Sequence, residues 1–309
     1  MSTHDLPLSQ DRAGPEGVAT PAAAVIIPHY NDAARLGRCL DALARNPRPL
    51  PVEILVVDNG STESLEPLAA RHPEVRFVTE PGRGAATARN SGVAVSSAPR
   101  LFFLDADCIP AEDWLATAFR RIEGAQIVGG AVRIFDETPP PRSGAQAFET
   151  VFAFQQESYV RDHGFAVTAN LLTWRDVFED TGPLVNGLAE DKEWCLRARA
   201  RGYRITYAAD LVVAHPSRAD WPALRRKWLR LTREGFALTG AGQGGHLSWL
   251  ARAGLVLLSP FGHLPKVLLS PRLSSGAERL RASQTLFRLR FARAGWMLRQ
   301  ALGRPLDEA

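Results

Sequence analysis

The run Leu101-Phe102-Phe103-Leu104-Asp105-Ala106-Asp107-Cys108-Ile109-Pro110 decides how this chain folds. An apolar run that ends in polar turn residues reads as a buried strand of a parallel sheet, covered on both faces and therefore without polar alternation. Open α/β sheets bind their ligands beyond the carboxyl ends of the strands, so Asp105 and Asp107 stand where a ligand would be met. Such a pair suits a divalent cation bridging Asp107 to a diphosphate, because hard cations take carboxylate and phosphate oxygens. Alone, the tripeptide reads more often as an acidic loop after a strand; its neighbours on both sides change that balance.

Toward the amino terminus, Val25-Ile26-Ile27-Pro28 ends at His29-Tyr30-Asn31-Asp32, where Asn31 or Asp32 can cap a helix whose apolar positions Leu36, Leu40 and Leu43 recur at helical spacing. Ile54-Leu55-Val56-Val57 is a second strand ending in the polar turn Asp58-Asn59-Gly60-Ser61-Thr62. Val75-Arg76-Phe77-Val78 is a third, followed by Pro81-Gly82-Arg83-Gly84 and a small-residue helix from Ala85 to Ala94. Strand and helix alternating in this rhythm predict an α/β fold with a doubly wound, mostly parallel sheet flanked by helices. Toward the carboxyl terminus, Glu190-Asp191-Lys192-Glu193 reads as a helix start, acids in the first turn suiting the positive end of the helix dipole. Arg204 to Tyr207 and Leu211 to Ala214 read as two further strands, leading to His215-Pro216.

In the order and spacing of these blocks the chain resembles the inverting family 2 glycosyltransferases of GT-A (Rossmann-like) fold, over roughly residues 22 to 220. The resemblance is carried by Val25 to Asn31, Val56 to Thr62, Gly84 to Asn90, Asp105-Ala106-Asp107, and Glu190-Asp191 with Leu196-Arg197. It implies a nucleotide-diphosphate sugar as donor, with Pro28, Tyr30, Asn31, Asp58, Asn59, Arg83, Arg89 and Asp105 around the nucleotide. Asp58 and Asn59 can accept from and donate to a nucleobase edge; the family often has a second acid, reading uracil, where this chain has Asn59. A UDP-sugar is the first expectation, with GDP- and dTDP-sugars as alternatives. The resemblance further implies a divalent cation, Mn2+ or Mg2+, held by Asp107 and His215, with Asp105 at the ribose or the metal's water shell. Neutral imidazole is a competent ligand beside carboxylates. It makes Asp191 the base, and the chemistry requires one, since an acceptor hydroxyl is a poor nucleophile until a positioned carboxylate takes its proton. Ala169-Asn170-Leu171 and Trp174 are expected to frame donor sugar and acceptor, with residues 182 to 187 a loop over the same cleft.

Composition bounds the rest. The 309 residues suffice for one large unit and a smaller attachment: a tail over residues 1–22, a catalytic domain over 23–219 and a basic helical extension over 220–309. The tail is rich in Pro, Ala, Gly and Ser and lacks the pattern of a signal peptide, which reads as flexible. Three widely spaced cysteines, Cys39, Cys108 and Cys195, argue against a disulfide framework or a zinc site and fit a reducing, cytoplasmic setting.

The net charge of +4 hides a split: 22 Lys+Arg against 28 Asp+Glu in residues 1–219, and 15 against 5 in residues 220–309. On a helical wheel Leu280, Phe287, Phe291, Ala294 and Leu298 form one stripe flanked by Arg279, Arg281, Arg288, Arg290 and Arg299, with Leu289 and Trp296 opposite it. That pattern fits a helix on an anionic membrane surface, at the inner face of the cytoplasmic membrane, or a helix docked on the catalytic domain. Ala253 to Pro265 is uncharged but too short to span a bilayer, and Pro260 and Pro265 are expected to break it. Arg225, Arg226, Lys227, Arg230 and Arg233 form a basic cluster, some of which could face the nucleotide. Basic residues beside tryptophan also occur in nucleic-acid binding, but no nucleic-acid fold is recognisable and no nucleic-acid partner is expected.

The expected activity is metal-dependent, inverting sugar transfer to a hydroxyl acceptor, a saccharide or lipid-linked saccharide of envelope or exopolysaccharide synthesis. A sugar-1-phosphate nucleotidyltransferase would need a Gly-rich basic loop after the first strand, which Pro28-His29-Tyr30-Asn31 is not. A non-catalytic nucleotide-sugar-binding module would not need both Asp107 and Asp191.

Overall fold

Strand β1 (Ala23–His29) is the first apolar run, and the protein builds outward from it in a computed structural model that describes residues 20–239 and 245–306. Most of the expected tail, residues 1–19, lies outside the described residues. After β1 come α1 (Ala33–Arg45), β2 (Val52–Asp58), α2 (Glu66–Arg71), β3 (Val75–Thr79), α3 (Ala85–Val95) and β4 (Arg100–Leu104). Next are β5 (Ile109–Pro110), α4 (Trp114–Ile122), β6 (Ile127–Phe135), α5 (Gly144–Phe152), α6 (Gln156–Arg161), β7 (Asn170–Trp174), α7 (Arg175–Thr181), α8 (Glu190–Ala200) and β8 (Ile205–Pro216). Helices α9 (Trp221–Thr239), α10 (Gly245–Leu268) and α11 (Gly276–Ala301) follow.

The eight strands form one sheet in the order β3-β2-β1-β4-β7-β6-β8-β5. β1, β2, β3 and β4 run parallel, as expected for continuous apolar strands, while β7 is antiparallel to both of its neighbours. Ile27 and Val56 feed one face of the core and Ile26 and Leu55 the other, so both faces of the central strands are covered. The order reverses at β1–β4, placing a crevice beyond the ends of β1 and β4, where His29 and Asp105 emerge.

The two strands expected around Tyr207 and Val212 are one strand, β8, paired with β6 across an irregularity at Gly130/Ala131. Asn170 sustains it: its amide donates to the carbonyls of Ala131 (3.0 Å) and Leu211 (2.9 Å) and accepts from the Trp114 indole (3.0 Å). A buried side chain with its polar atoms engaged in this way has no part in framing a substrate, contrary to the sequence expectation. Nor does Trp174, whose indole donates to the Ala125 carbonyl and lies under the Arg100 guanidinium. Ala169 alone of that group lines the crevice.

Pro260 and Pro265 do not break α10, which runs through both. A helical proline removes one N–H from the carbonyl four residues earlier; the Ser259 hydroxyl fills that gap by donating to the Val256 carbonyl at 2.7 Å. α11 docks through Ala282, Thr285, Leu286, Leu289 and Met297. A Cβ at Gly144 would sit 2.5 Å from the Thr285 hydroxyl, so only glycine permits this approach of α5 to α11. The stripe expected from the helical wheel is largely the other face: Leu280, Phe291 and Leu298 remain exposed, and Ala294 is buried.

Candidate active site

Three side chains from distant parts of the chain converge beyond the sheet. Asp105 and Asp107 follow β4, His215 lies near the end of β8, and their ligand atoms all lie within 4.8 Å of one another. The His215 Nδ1 lies 2.8 Å from the Pro216 carbonyl, which can only accept, so Nδ1 carries the proton. Burial, with Arg218 and Lys227 nearby, pulls the imidazole down to about 4, so it is neutral at ordinary pH. Its bare Nε2 then faces an Asp107 oxygen at 3.3 Å. Two acceptors this close call for a positive group between them, and burial pushes Asp107 upward against the pull of Arg218 and Arg35. A hard divalent cation fits this donor set of two carboxylates and one imidazole. Phe154, at a positive φ of 48°, lays its ring 4.6 Å from that of His215 and fixes the imidazole from the side.

Arg89, on α3, is almost completely buried. It donates to Asp105 at 2.6 Å and to Glu190 at 3.2 Å, tying the β4 end to the start of α8. The expected role of Arg89 at base or diphosphate is therefore displaced: two carboxylates inside the protein already take its charge. Asp191, next to Glu190, has no ion-pair partner among the described residues and accepts from the Lys192 N–H. Burial, then the neighbouring Glu190 charge, pushes its carboxyl up to about 6. α8 itself is braced by Arg197, which donates to the carbonyls of Thr181 and Pro183, both at 2.7 Å. The Gly182–Gly187 loop is held onto α3 by the Asn90 amide, which bonds both backbone groups of Leu184.

Pro28, Tyr30, Asn59, Arg89, Asp105 and Asp107 line a cavity of about 880 Å³, and Asp191 and His215 open onto the same space. Asn31, Asp58 and Arg83 do not line it. Asn31 sits at φ 47° with its backbone N–H on the Ser61 hydroxyl and its side chain accepting from the Thr62 N–H, so it welds two loops together. The Asp58 carboxylate is taken by the Ser61 N–H at 3.2 Å and by the buried His29 ring at 3.4 Å. The Asn59 amide donates to the carbonyls of Glu80 and Gly82 and accepts from the Gly84 N–H, so it shapes the Pro81–Gly84 turn. Arg83 is exposed.

Sequence reasoning missed Arg218, Glu149 and Glu234. Arg218 lines the cavity with a buried Nη1 that has no hydrogen-bond partner. Glu149 receives the Lys227 ammonium and the Arg218 N–H, which takes Lys227 out of the expected basic cluster. Glu234, on α9, is pushed up to about 7 by burial, with Glu190 and Asp191 adding to the effect against the opposing pull of Arg230. Only Arg218 had a local signal, three residues after His215. The others reach the site through the packing of α5 and α9.

A mostly parallel sheet with a paired aspartate motif beyond its central strand, an opposed histidine and a separate acid on α8 defines a glycosyltransferase of GT-A fold. The chain belongs to glycosyl transferase family 2, whose pattern matches residues 24–182. Glycosyltransferase AglE of Haloferax volcanii is 33% identical over 218 residues, 67% of this chain and 71% of that protein. Pre-mycofactocin glycosyltransferase of Mycobacterium tuberculosis is 27% identical over 224 residues, 68% of this chain but 46% of that protein, so the match spans about half of that relative. Mannosyltransferase PcManGT of Pyrobaculum calidifontis, solved with GDP-Man and Mn2+, shares the fold with a TM-score of 0.56 at 20% identity, over 94% of this chain and 89% of its own.

Proposed function

We propose that this glycosyltransferase moves a sugar, with inversion, from a nucleotide-diphosphate sugar to the hydroxyl of a saccharide or lipid-linked acceptor, with Asp191 as base. One observation carries the reading: an acid without an ion-pair partner among the described residues, pushed up to about 6, opens onto the same cavity as Asp107 and His215. A carboxyl in that range is ionised at neutral pH yet more basic than an ordinary aspartate, which favours proton abstraction as the acceptor oxygen attacks. Attack from the Asp191 side, opposite a diphosphate at Asp107, gives inversion at the anomeric carbon. Arg89 keeps Glu190 occupied, so the proton passes to Asp191 and not to its neighbour.

Asp107 and His215 would hold Mn2+ or Mg2+, with Asp105 at its water shell or the ribose. Such a cation neutralises charge on a departing nucleoside diphosphate. Arg218 adds a protein cation on that side, where fixed charge aimed at developing charge is most effective. The nucleobase meets Pro28 and Tyr30, with Asn59 shaping the adjoining turn; UDP-, GDP- and dTDP-sugars all satisfy this description.

The outer face of α10 and α11 suits a membrane surface. Leu255 is 71% exposed, Phe261 64% and Leu269 81%. Lys266, Arg272 and Arg288 are exposed on the same helices or the turn between them, the mixture that binds anionic lipid. Among the described residues no helix is long and apolar enough to cross a membrane.

A turnover assay on a panel of nucleotide sugars tests the activity. Release of nucleoside diphosphate, lost in Asp107→Ala, is expected. Pyrophosphate release, or none from any donor, would refute it.

A further inference from the structure

The cavity does not end at Asp191. It continues under α9 and α10, where Trp228, Leu231, Trp249, Arg252, Val256 and Arg293 line it. Apart from Glu234, which Arg230 pairs at 3.7 Å, its chemistry there is one-sided. Arg293 Nε, Arg290 Nε, Trp228 Nε1 and Trp249 Nε1 are buried and have no hydrogen-bond partner. All four are N–H donors, and buried donors in a folded protein are nearly always satisfied. Arg252, Arg290 and Arg293 carry no carboxylate partner among the described residues. The guanidinium groups instead lie 4.9 Å (Arg293) and 5.5 Å (Arg290) from the Trp228 ring, and Arg252 lies 5.8 Å from that of Trp249. Burial, then the Arg290 and Arg252 charges, pull Arg293 down to about 10, so the cluster repels itself. Arginines gathered without an anion, beside orphaned indole N–H groups, describe a receptor for an oxyanion.

The location selects which anion. Arg252 is close enough to Lys192, the residue after Asp191, to help depress its pKa behind the larger effect of burial. Glu234, paired with Arg230 at 3.7 Å, lines the same cavity and feels the charges of Glu190 and Asp191. The anion site therefore lies on the base side, whereas Arg218 and the aspartates serve the donor side. Leu231, Leu238 and Val256 supply apolar wall, and the helix carrying Arg252 exposes Leu255 and Phe261 outside. From these observations we infer that the α9–α10–α11 arm binds the phosphate of an amphiphilic, lipid-linked acceptor and delivers the acceptor hydroxyl to Asp191. This rests on the transferase reading and names its acceptor class.

Farnesyl phosphate is a suitable probe, with Trp228 and Trp249 reporting by fluorescence, and farnesol and inorganic phosphate as comparisons. Saturable binding of farnesyl phosphate is expected, with at least about a tenfold loss in Arg252→Gln and in Arg293→Gln, each removing a charged hydrogen-bond donor. Arg293→Lys should retain part of the affinity. Arg252 is exposed, so its variant keeps the test valid even if Arg293→Gln fails to fold. Affinity for nucleoside diphosphate with Mn2+ should stay within about twofold in Arg252→Gln, because its charge lies off the donor side. Equal binding of farnesol, equal binding of inorganic phosphate, an unmoved affinity in both Gln variants, or a parallel loss of nucleotide binding would each overturn the inference. Its failure is separable from that of the transferase reading. Turnover on a soluble sugar acceptor with no farnesyl phosphate binding sinks only the acceptor assignment. Farnesyl phosphate binding without turnover on any donor sinks only the transfer.

Discussion

Asp191→Asn should make the protein more stable and nearly inactive at once. The folded protein raises this carboxyl from 3.8 to about 6, chiefly by burial and then by the Glu190 charge. A raised carboxyl holds its proton more tightly folded than unfolded, so its contribution is neutral below about pH 4 and turns unfavourable as the pH rises to about 6. Above that it is constant, and the rise from 3.8 to about 6 corresponds to about 3 kcal/mol at neutral pH. Asparagine keeps the shape without the charge. Its gain should therefore reach up to about 3 kcal/mol at pH 8, or roughly 5 °C in Tm for a chain of this size, and vanish near pH 4. Thermal melts of wild type and variant from pH 4 to 8, without metal or nucleotide, measure this directly. In parallel kcat should fall by about 10² or more with nucleotide affinity nearly intact. An equal or lower Tm at pH 8, or a gain that does not shrink with acid, would show that Asp191 is not desolvated. Wild-type turnover in Asp191→Asn together with a dead Glu190→Gln would move the base by one residue.

His215→Ala should weaken Mn2+-dependent nucleotide binding by at least about tenfold, since even indirect support of a metal is worth that much; calorimetry at fixed nucleotide reads it, and unchanged affinity would remove His215 from the metal. Glu234, pushed up to about 7, is largely protonated where Asp191 titrates near 6, so Glu234→Gln should leave the acid limb of the kcat profile nearly in place; complete loss of turnover would instead make Glu234 the base. Leu255→Ser with Phe261→Ser should abolish flotation with anionic vesicles and leave Tm almost unchanged, because both side chains are mostly exposed. Wild-type indifference to such vesicles, or to salt during binding, would refute the membrane face.

The order of the chain's motifs carried the family and, through that resemblance, Asp191; the sequence alone determined the parallel half of the sheet and the placement of Asp105 and Asp107 on its ligand side. Those features are local: an apolar run makes a covered strand, its carboxyl end makes a crevice, and polar residues at that end face it whatever lies elsewhere. Tertiary structure decided which polar groups remain free. Asp58, Asn59 and Arg89 have the right chemistry for a nucleotide, yet turns and ion pairs formed with Ser61, Gly84 and Glu190 occupy them. Charge pairing across 101 residues, as between Arg89 and Glu190, leaves no trace in either neighbourhood. The helical wheel found an apolar stripe on α11 but could not tell the buried face from the outer one, because Leu and Phe occur on both. The arginine arm was likewise invisible: Arg252 and Arg293 are 41 positions apart, and only the packing of α9, α10 and α11 brings them to one cavity, Arg252 over Trp249 and Arg293 over Trp228.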